Sequence, residues 1–183
     1  MDDPGPRQLT AVWHDFDVEG FFDDSEYGLT YVEASPSDEL IVELESELGF
    51  RLPDSYVEFC RRHNGGIPKL NCLPTDQPSG WAEDHAAING ILSIGRGQHS
   101  LGGDFGSKFW QEEWGYPSFG ICFADTPTGG HTMFMFDYRE CGPQGEPQVI
   151  LVDQECDYRI GVMAPNFEQF IRGLVDESEF EEE

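Results

Sequence analysis

The spacing of apolar side chains changes along the chain, and the change separates helical stretches from extended ones. From Ser35 onward, Leu40, Ile41, Leu44 and Leu48 recur at three- and four-residue steps. This predicts an amphipathic helix capped by Ser35 or Ser37, with Pro36 suited to its first turn, and stopped at Gly49. A second helix is expected from about Pro53, with Asp54 in its positively polarised first turn and Tyr56, Phe59 and Cys60 on its inner face. Asn64-Gly65-Gly66 ends it, since glycine, and less easily asparagine, enters the left-handed conformation that closes a helix.

Past that point the period falls to two. Short runs rich in Ile, Phe, Val and Met, bounded by Gly, Pro and Asp, read as strands at 88–94, 119–124, 132–137, 148–152 and 158–162. Thr128-Gly129-Gly130 predicts a tight hairpin between the second and third, and residues 141–147 suit another hairpin loop. After Pro165, Asn166 and Gln169 have capping-box spacing, and Phe167, Phe170, Ile171 and Leu174 form the stripe of a closing helix. Helices, then strands, then one helix is the order of an α+β domain. The expected sheet has about five or six antiparallel or mixed strands, with the helices packed on it.

Composition sharpens this picture. Of 183 residues, 36 are acidic and 10 are Lys or Arg, a formal charge of −26. Such a surface repels a phosphate backbone and anionic membranes and favours a basic partner. Yet 38% of the residues are hydrophobic and 14 are Phe, which calls for a packed core. The charge is uneven. Residues 1–40 hold 11 acids and one base, and residues 176–183 hold six acids and no base, leaving 19 acids and nine bases between. The expected organisation is therefore an acidic extension over residues 1–20, one domain over 21–175, and a frayed acidic tail over 176–183. The longest apolar runs, such as Val149 to Val152, are far too short for a membrane helix, and the first residues lack the pattern of a signal peptide. Five cysteines without a Cys-x-x-Cys pair fit neither a disulfide framework nor a zinc site, which points to a reducing cytoplasm.

Catalytic patterns are weak. His131 lies between Asp125 and Asp137 and, with them, is the best candidate for a metal-dependent hydrolase. Short acids at strand ends and turns have a simpler explanation as turn formers. His85 and His99 fall in no catalytic spacing, His14 with Asp15 and Asp17 could touch a metal but has the simpler explanation of a solvated residue in an acidic stretch, and the glycines around Arg96 and at 102–103 lack the ending of a phosphate loop. No cofactor is expected. The stretch 103–116 stands out because bulky aromatics alternate with acids. Aromatics dominate interface energetics, and neighbouring acids would pair with Lys or Arg of a partner. The candidate partner-binding residues are Asp104, Phe105, Trp110, Glu112, Glu113, Trp114 and Tyr116. The competing explanation is that Phe109 and Trp114 fold inward to seal the sheet.

The segment Leu44-x-x-x-Leu48-Gly49-Phe50-x-Leu52-Pro53-x-x-Tyr56-x-x-Phe59, followed by Asn64-Gly65-Gly66, resembles the opening motif of the SUKH superfamily. Trp114-Gly115-Tyr116-Pro117, the hairpin 121–137 and Ala164-x-x-Phe167-x-x-Phe170-Ile171 look like later family elements in the same order. The resemblance covers about residues 21 to 175. It implies an α+β fold and, as for many bacterial members, a non-enzymatic immunity protein that neutralises a polymorphic toxin, plausibly a basic nuclease, by stoichiometric binding. The yeast member's role in regulating cell-wall synthesis implies the alternative, a regulatory or scaffold protein with cellular partners.

Overall fold

The computed structural model describes residue 7, residues 11–80 and residues 82–181. Helix α1 (Val18–Phe21) precedes a 3-10 turn at Gly28–Tyr31, then come α2 (Asp38–Leu48) and α3 (Asp54–Arg62). Strands β1 (Cys72–Pro74) and β2 (His85–Ala87) are followed by α4 (Ser107–Trp114). The chain continues through β3 (Gly120–Asp125), β4 (Thr132–Asp137), β5 (Gln148–Asp153) and β6 (Arg159–Ala164) to α5 (Phe167–Arg172). The fold is α+β, as the apolar periods require.

Each predicted helix forms for the expected reason. Ser37, rather than Ser35, caps α2, its Oγ accepting from the Leu40 N–H at 3.2 Å, and Gly49 at φ 83° stops it. Ile41 and Leu44 are buried. In α3, Tyr56, Val57, Phe59 and Cys60 are fully buried. The end of α3 differs from expectation. His63, not a glycine, caps it in an extended conformation, and the buried Asn64 amide bonds Ala34 O, Ile94 O and the Ile94 N–H. Gly65 sits at φ 85° where a Cβ would lie 2.3 Å from Tyr31 O, so this glycine serves a chain crossing rather than a helix cap.

The strands divide into two antiparallel sheets, the pair β1-β2 and the four-stranded order β3-β4-β5-β6. The expected strand at 88–94 is not one. Those residues run beside β3 as an irregular segment, with the Leu92 N–H on Phe123 O and the Asp125 N–H on Gly90 O. Its N–H groups turn to several partners, among them Asn71 O, Gly66 O, Phe123 O and His99 O, so a continuous ladder does not form. It nonetheless covers the outer edge of β3.

One face of the large sheet carries Phe123, Phe134 and Phe136, with Phe123 stacked on Phe136 at 4.0 Å. Against them pack Tyr56 and Phe59 of α3 and Phe167 and Phe170 of α5. The Asn166 side chain caps α5 by accepting from the Gln169 N–H at 2.9 Å. Both acidic ends touch this body. Trp13 is fully buried against Phe59 and Phe167, and the Phe180 ring stacks on His85 at 4.1 Å after Val175 pairs with Cys72. Among the described residues, no helix is long and apolar enough to cross a membrane.

Candidate functional site

The stretch 103–116 folds into a loop and α4, which lies on the second face of the large sheet. Gly106 precedes α4 in an extended conformation and Gly115, at φ 74°, closes it. The Ser107 hydroxyl accepts from the Cys122 N–H at 3.0 Å, tying the helix start to β3. The Gln111 amide donates to Pro117 O at 3.0 Å and Gly120 O at 2.8 Å, fixing the turn that follows. Beneath α4, Cys122, Met133, Met135, Ile150 and Val152 are fully buried.

This geometry sorts the predicted partner-binding residues. Trp110 and Tyr116 are buried: the Trp110 indole donates to Phe105 O at 3.0 Å, and the Tyr116 hydroxyl donates to Gly130 O at 2.5 Å. Burial raises the Tyr116 pKa, so the hydroxyl stays a donor. These two hold the second core together and present no free face, which removes them from direct contact. Phe105 and Trp114 are half-buried, whereas Asp104, Glu112 and Glu113 are exposed. The inward packing of Trp114 and Phe109 is thus partial, and both retain an accessible edge.

Folding also adds residues that spacing could not connect. Tyr27 meets Tyr31 at 6.0 Å, Tyr31 stacks on His99 at 4.3 Å, and His99 lies along Phe105 at 5.7 Å. The row continues through Phe109, Trp110 and Trp114 and reaches His131, 5.7 Å from Trp114. The result is a continuous row of ring contacts that surfaces as a ridge at Tyr27, His99, Phe105, Phe109, Trp114 and His131 and dips into the fold at the buried Tyr31 and Trp110. Exposed acids neighbour its rings in sequence, Asp24 and Glu26 at Tyr27, Asp104 at Phe105, and Glu112 and Glu113 at Trp114, and Glu155 lies 3.5 Å from His131. Lys108 is the exposed base of α4. Half-buried rings beside solvated carboxylates can clamp the stem and the charge of an incoming Lys or Arg together.

Tyr158 buttresses the ridge at its far end. Asp157 and Tyr158 both adopt left-handed backbone, at φ 55° and 56°, a conformation a bulky residue holds only under constraint. The constraint is the Tyr158 hydroxyl, which donates to Trp114 O at 2.6 Å.

The hydrolase candidates are not brought together. Asp137 pairs with Gly120 and Asp125 with Met133, so the two acids lie at opposite ends of the β3-β4 hairpin, about 17 Å apart at strand spacing. Asp125 accepts from the Tyr31 hydroxyl at 2.6 Å and the Gly90 N–H at 2.8 Å, and His131 faces Trp114 and Glu155. Among the described residues no group of three or more His, Cys, Asp or Glu side chains is placed to hold a metal. The thiols are poor nucleophiles: burial pushes Cys60 up to about 12, and Asp153 raises the exposed Cys156.

The two strand-end acids act oppositely on stability. Burial raises the Asp137 carboxyl, but Arg139 and Gln148 outweigh it and hold the pKa below 3.8. A depressed folded-state pKa stabilises the fold above 3.8, and that stabilisation is lost as pH falls through the folded value. Burial leaves Asp125 above 3.8 despite Tyr31 and the Gly90 N–H, so its charge costs stability at neutral pH and the cost disappears at lower pH. Asp137→Asn should therefore be less stable than wild type near pH 7, with the deficit narrowing as pH falls below 3.8 in urea unfolding. A deficit independent of pH would refute this role for Asp137.

Comparison with known families places these elements. The family model described as SMI1 / KNR4 family (SUKH-1) matches residues 35–173. The match includes α2 through α5 and the α4 end of the ridge, and excludes Trp13, Tyr27 and Phe180. No curated protein matches the chain.

Proposed function

Because this chain belongs to the SMI1 / KNR4 family (SUKH-1), we propose that it is a protein-binding domain acting as an immunity protein, which neutralises a bacterial polymorphic toxin by stoichiometric binding. In this reading the toxin domain is a basic nuclease. The observation that carries this reading is the aromatic ridge with the acids next to its rings, Asp24, Glu26, Asp104, Glu112 and Glu113 in sequence and Glu155 at His131.

The mechanism needs no bond chemistry. Long-range attraction between the acidic protein and a basic toxin raises the encounter rate. On contact, carboxylates occupy the positions that substrate phosphates would take, while Phe105, Phe109 and Trp114 bury their remaining exposed edges and slow dissociation. Trp110 and Tyr116 contribute by holding α4 rigid, so little ordering cost falls on binding. Co-expression with a cognate basic toxin domain should restore growth of a toxin-inhibited host. If cells die despite accumulation of both folded proteins, the immunity reading is wrong, and binding to cellular partners becomes the better account.

A further inference from the structure

The open edge of the large sheet has backbone groups that meet no partner among the described residues, and beside them a half-exposed apolar side chain, Val162. The Gln154 N–H donates to His131 O, and these residues extend the β4-β5 register. In an antiparallel sheet, hydrogen-bonded pairs alternate from one side of a strand to the other. The even-numbered residues of β5 therefore bond β4, and Leu151 and Asp153 bond β6 through their partners Gly161 and Arg159. This turns the N–H and C=O groups of Ile160 and Val162 outward. Among the described residues no backbone group or bridge meets them, whereas the opposite edge, β3, is covered by residues 89–92.

The side chains tell the same story. Ile160 and Val162 are paired with Val152 and Ile150, so they lie on the α4 face. Cover by α4 is complete over Ile150 and Val152, both fully buried, and then runs out: Ile160 is half-buried and Val162 is 50% exposed. An added strand would bond the outward groups of Ile160 and Val162 and place alternate side chains beside Val162 and Tyr158. The register shift at Val149/Ile150 leaves Met163 out of the pairing, and Pro165 follows, so the usable edge is short, spanning 159–162.

We infer that this edge takes an extended basic segment of the protein partner as a fifth strand of the sheet, an inference that rests on the partner-binding reading above. Charge selects the occupant. The edge's own base, Arg159, is paired with Asp153 at 3.1 Å, while Glu155 and Asp157 flank the start of β6, Glu112 and Glu113 stand on α4, and the loop against Gly161 carries Asp76 and Glu83. A second copy of a chain with net charge −26 is repelled from this edge, while a segment alternating Lys or Arg with β-branched residues is attracted.

The test uses the intact protein and a seven-residue peptide, Lys-Val-Lys-Val-Lys-Val-Lys, as probe, with its Glu-for-Lys counterpart as control. At low salt the basic peptide should slow amide exchange of Ile160 and Val162 by about tenfold, and the acidic peptide should not. Val162→Pro removes an outward N–H without breaking an inner bond, and should abolish the protection of Ile160. Unchanged exchange with the basic peptide, equal protection by the acidic one, or protection that rises with protein concentration alone would overturn the inference. The ridge fails or stands separately: a Glu112→Lys, Glu113→Lys variant that loses a toxin while the wild-type complex leaves Ile160 exchange unaltered refutes the edge alone.

Discussion

Trp13→Ala should destabilise the protein by about 3–5 kcal/mol, the usual cost of truncating a buried tryptophan. Trp13 is fully buried, and its indole donates to Ser55 O at 2.8 Å. Its ring meets Phe16 at 5.2 Å and Phe59 at 5.1 Å edge-on, and the Arg172 guanidinium lies over it at 5.4 Å. Two arginines lock the surrounding backbone: Arg62 donates to Trp13 O at 2.8 Å and Arg172 to Val12 O at 2.9 Å. Domains of this size have a total stability of about 5–15 kcal/mol, so the loss would leave a marginal fold. Urea unfolding of wild type and variant at equal m-value decides it. A loss below about 1 kcal/mol would mean that the acidic N-terminal stretch rests on the domain without supporting it. The family match begins at residue 35, so a large loss would make this stretch a built-in addition of this chain to the shared fold.

The second large effect concerns encounter. Asp104, Glu112 and Glu113 are exposed and touch no core residue that their replacement would disturb. Changing all three to Lys moves the net charge from −26 to −20, six units, all of it beside the ridge. Steering by such a patch raises association rates roughly 10- to 1,000-fold, so the triple variant should associate at least about tenfold more slowly with a basic toxin. Dissociation should change less, since Phe105 and Trp114 remain. The wild-type association rate should also fall steeply as salt shortens the Debye length to about 8 Å at physiological ionic strength. Stopped-flow mixing across a salt series reads both. A variant with unchanged rate and a salt-indifferent wild type would remove the electrostatic half of the mechanism.

How far the sequence reaches can be judged element by element. The helices carrying Leu44, Phe59 and Phe170, and the strands carrying Phe123, Phe136 and Leu151, follow from their apolar periods, because each buries one stripe or one face. The segment 88–94 has strand-like composition, but its N–H groups go in turn to Asn71, Asp125, Gly66, Phe123 and His99 rather than to one partner strand. Local alternation cannot encode such branching. Trp13 was hidden by averaging: Val12, Phe16, Val18 and Phe21 surround it at helical spacings, yet the surrounding acids make the segment look like a solvated extension. Phe180 was hidden in the same way in the acidic tail.

For the candidate site, the legible part was the local one. The alternation of aromatics and acids over 103–116 marked α4, but not which rings turn inward. Helix geometry decides that, placing Ser107 and Trp110 against the sheet and Glu112 and Glu113 away from it. Tyr27, Tyr31, His99 and His131 join the ridge only through tertiary packing, across as many as about a hundred residues of sequence. The net charge pointed to a basic partner without naming a face. The proposed face pairs that charge with the row of rings, with Glu155 3.5 Å from His131 and Asp24, Glu26, Asp104, Glu112 and Glu113 next to its rings in sequence.

The central claim, that this row of rings and acids is where a toxin docks, is tested most directly by titrating the protein into a cognate toxin domain and following the toxin's activity. The account predicts complete inhibition at one equivalent by wild type, and inhibition by the Asp104→Lys, Glu112→Lys, Glu113→Lys variant only at a large excess, with its fold intact by circular dichroism. Toxin activity that persists at a large excess of wild type, or a folded triple variant that inhibits at one equivalent as wild type does, would contradict it.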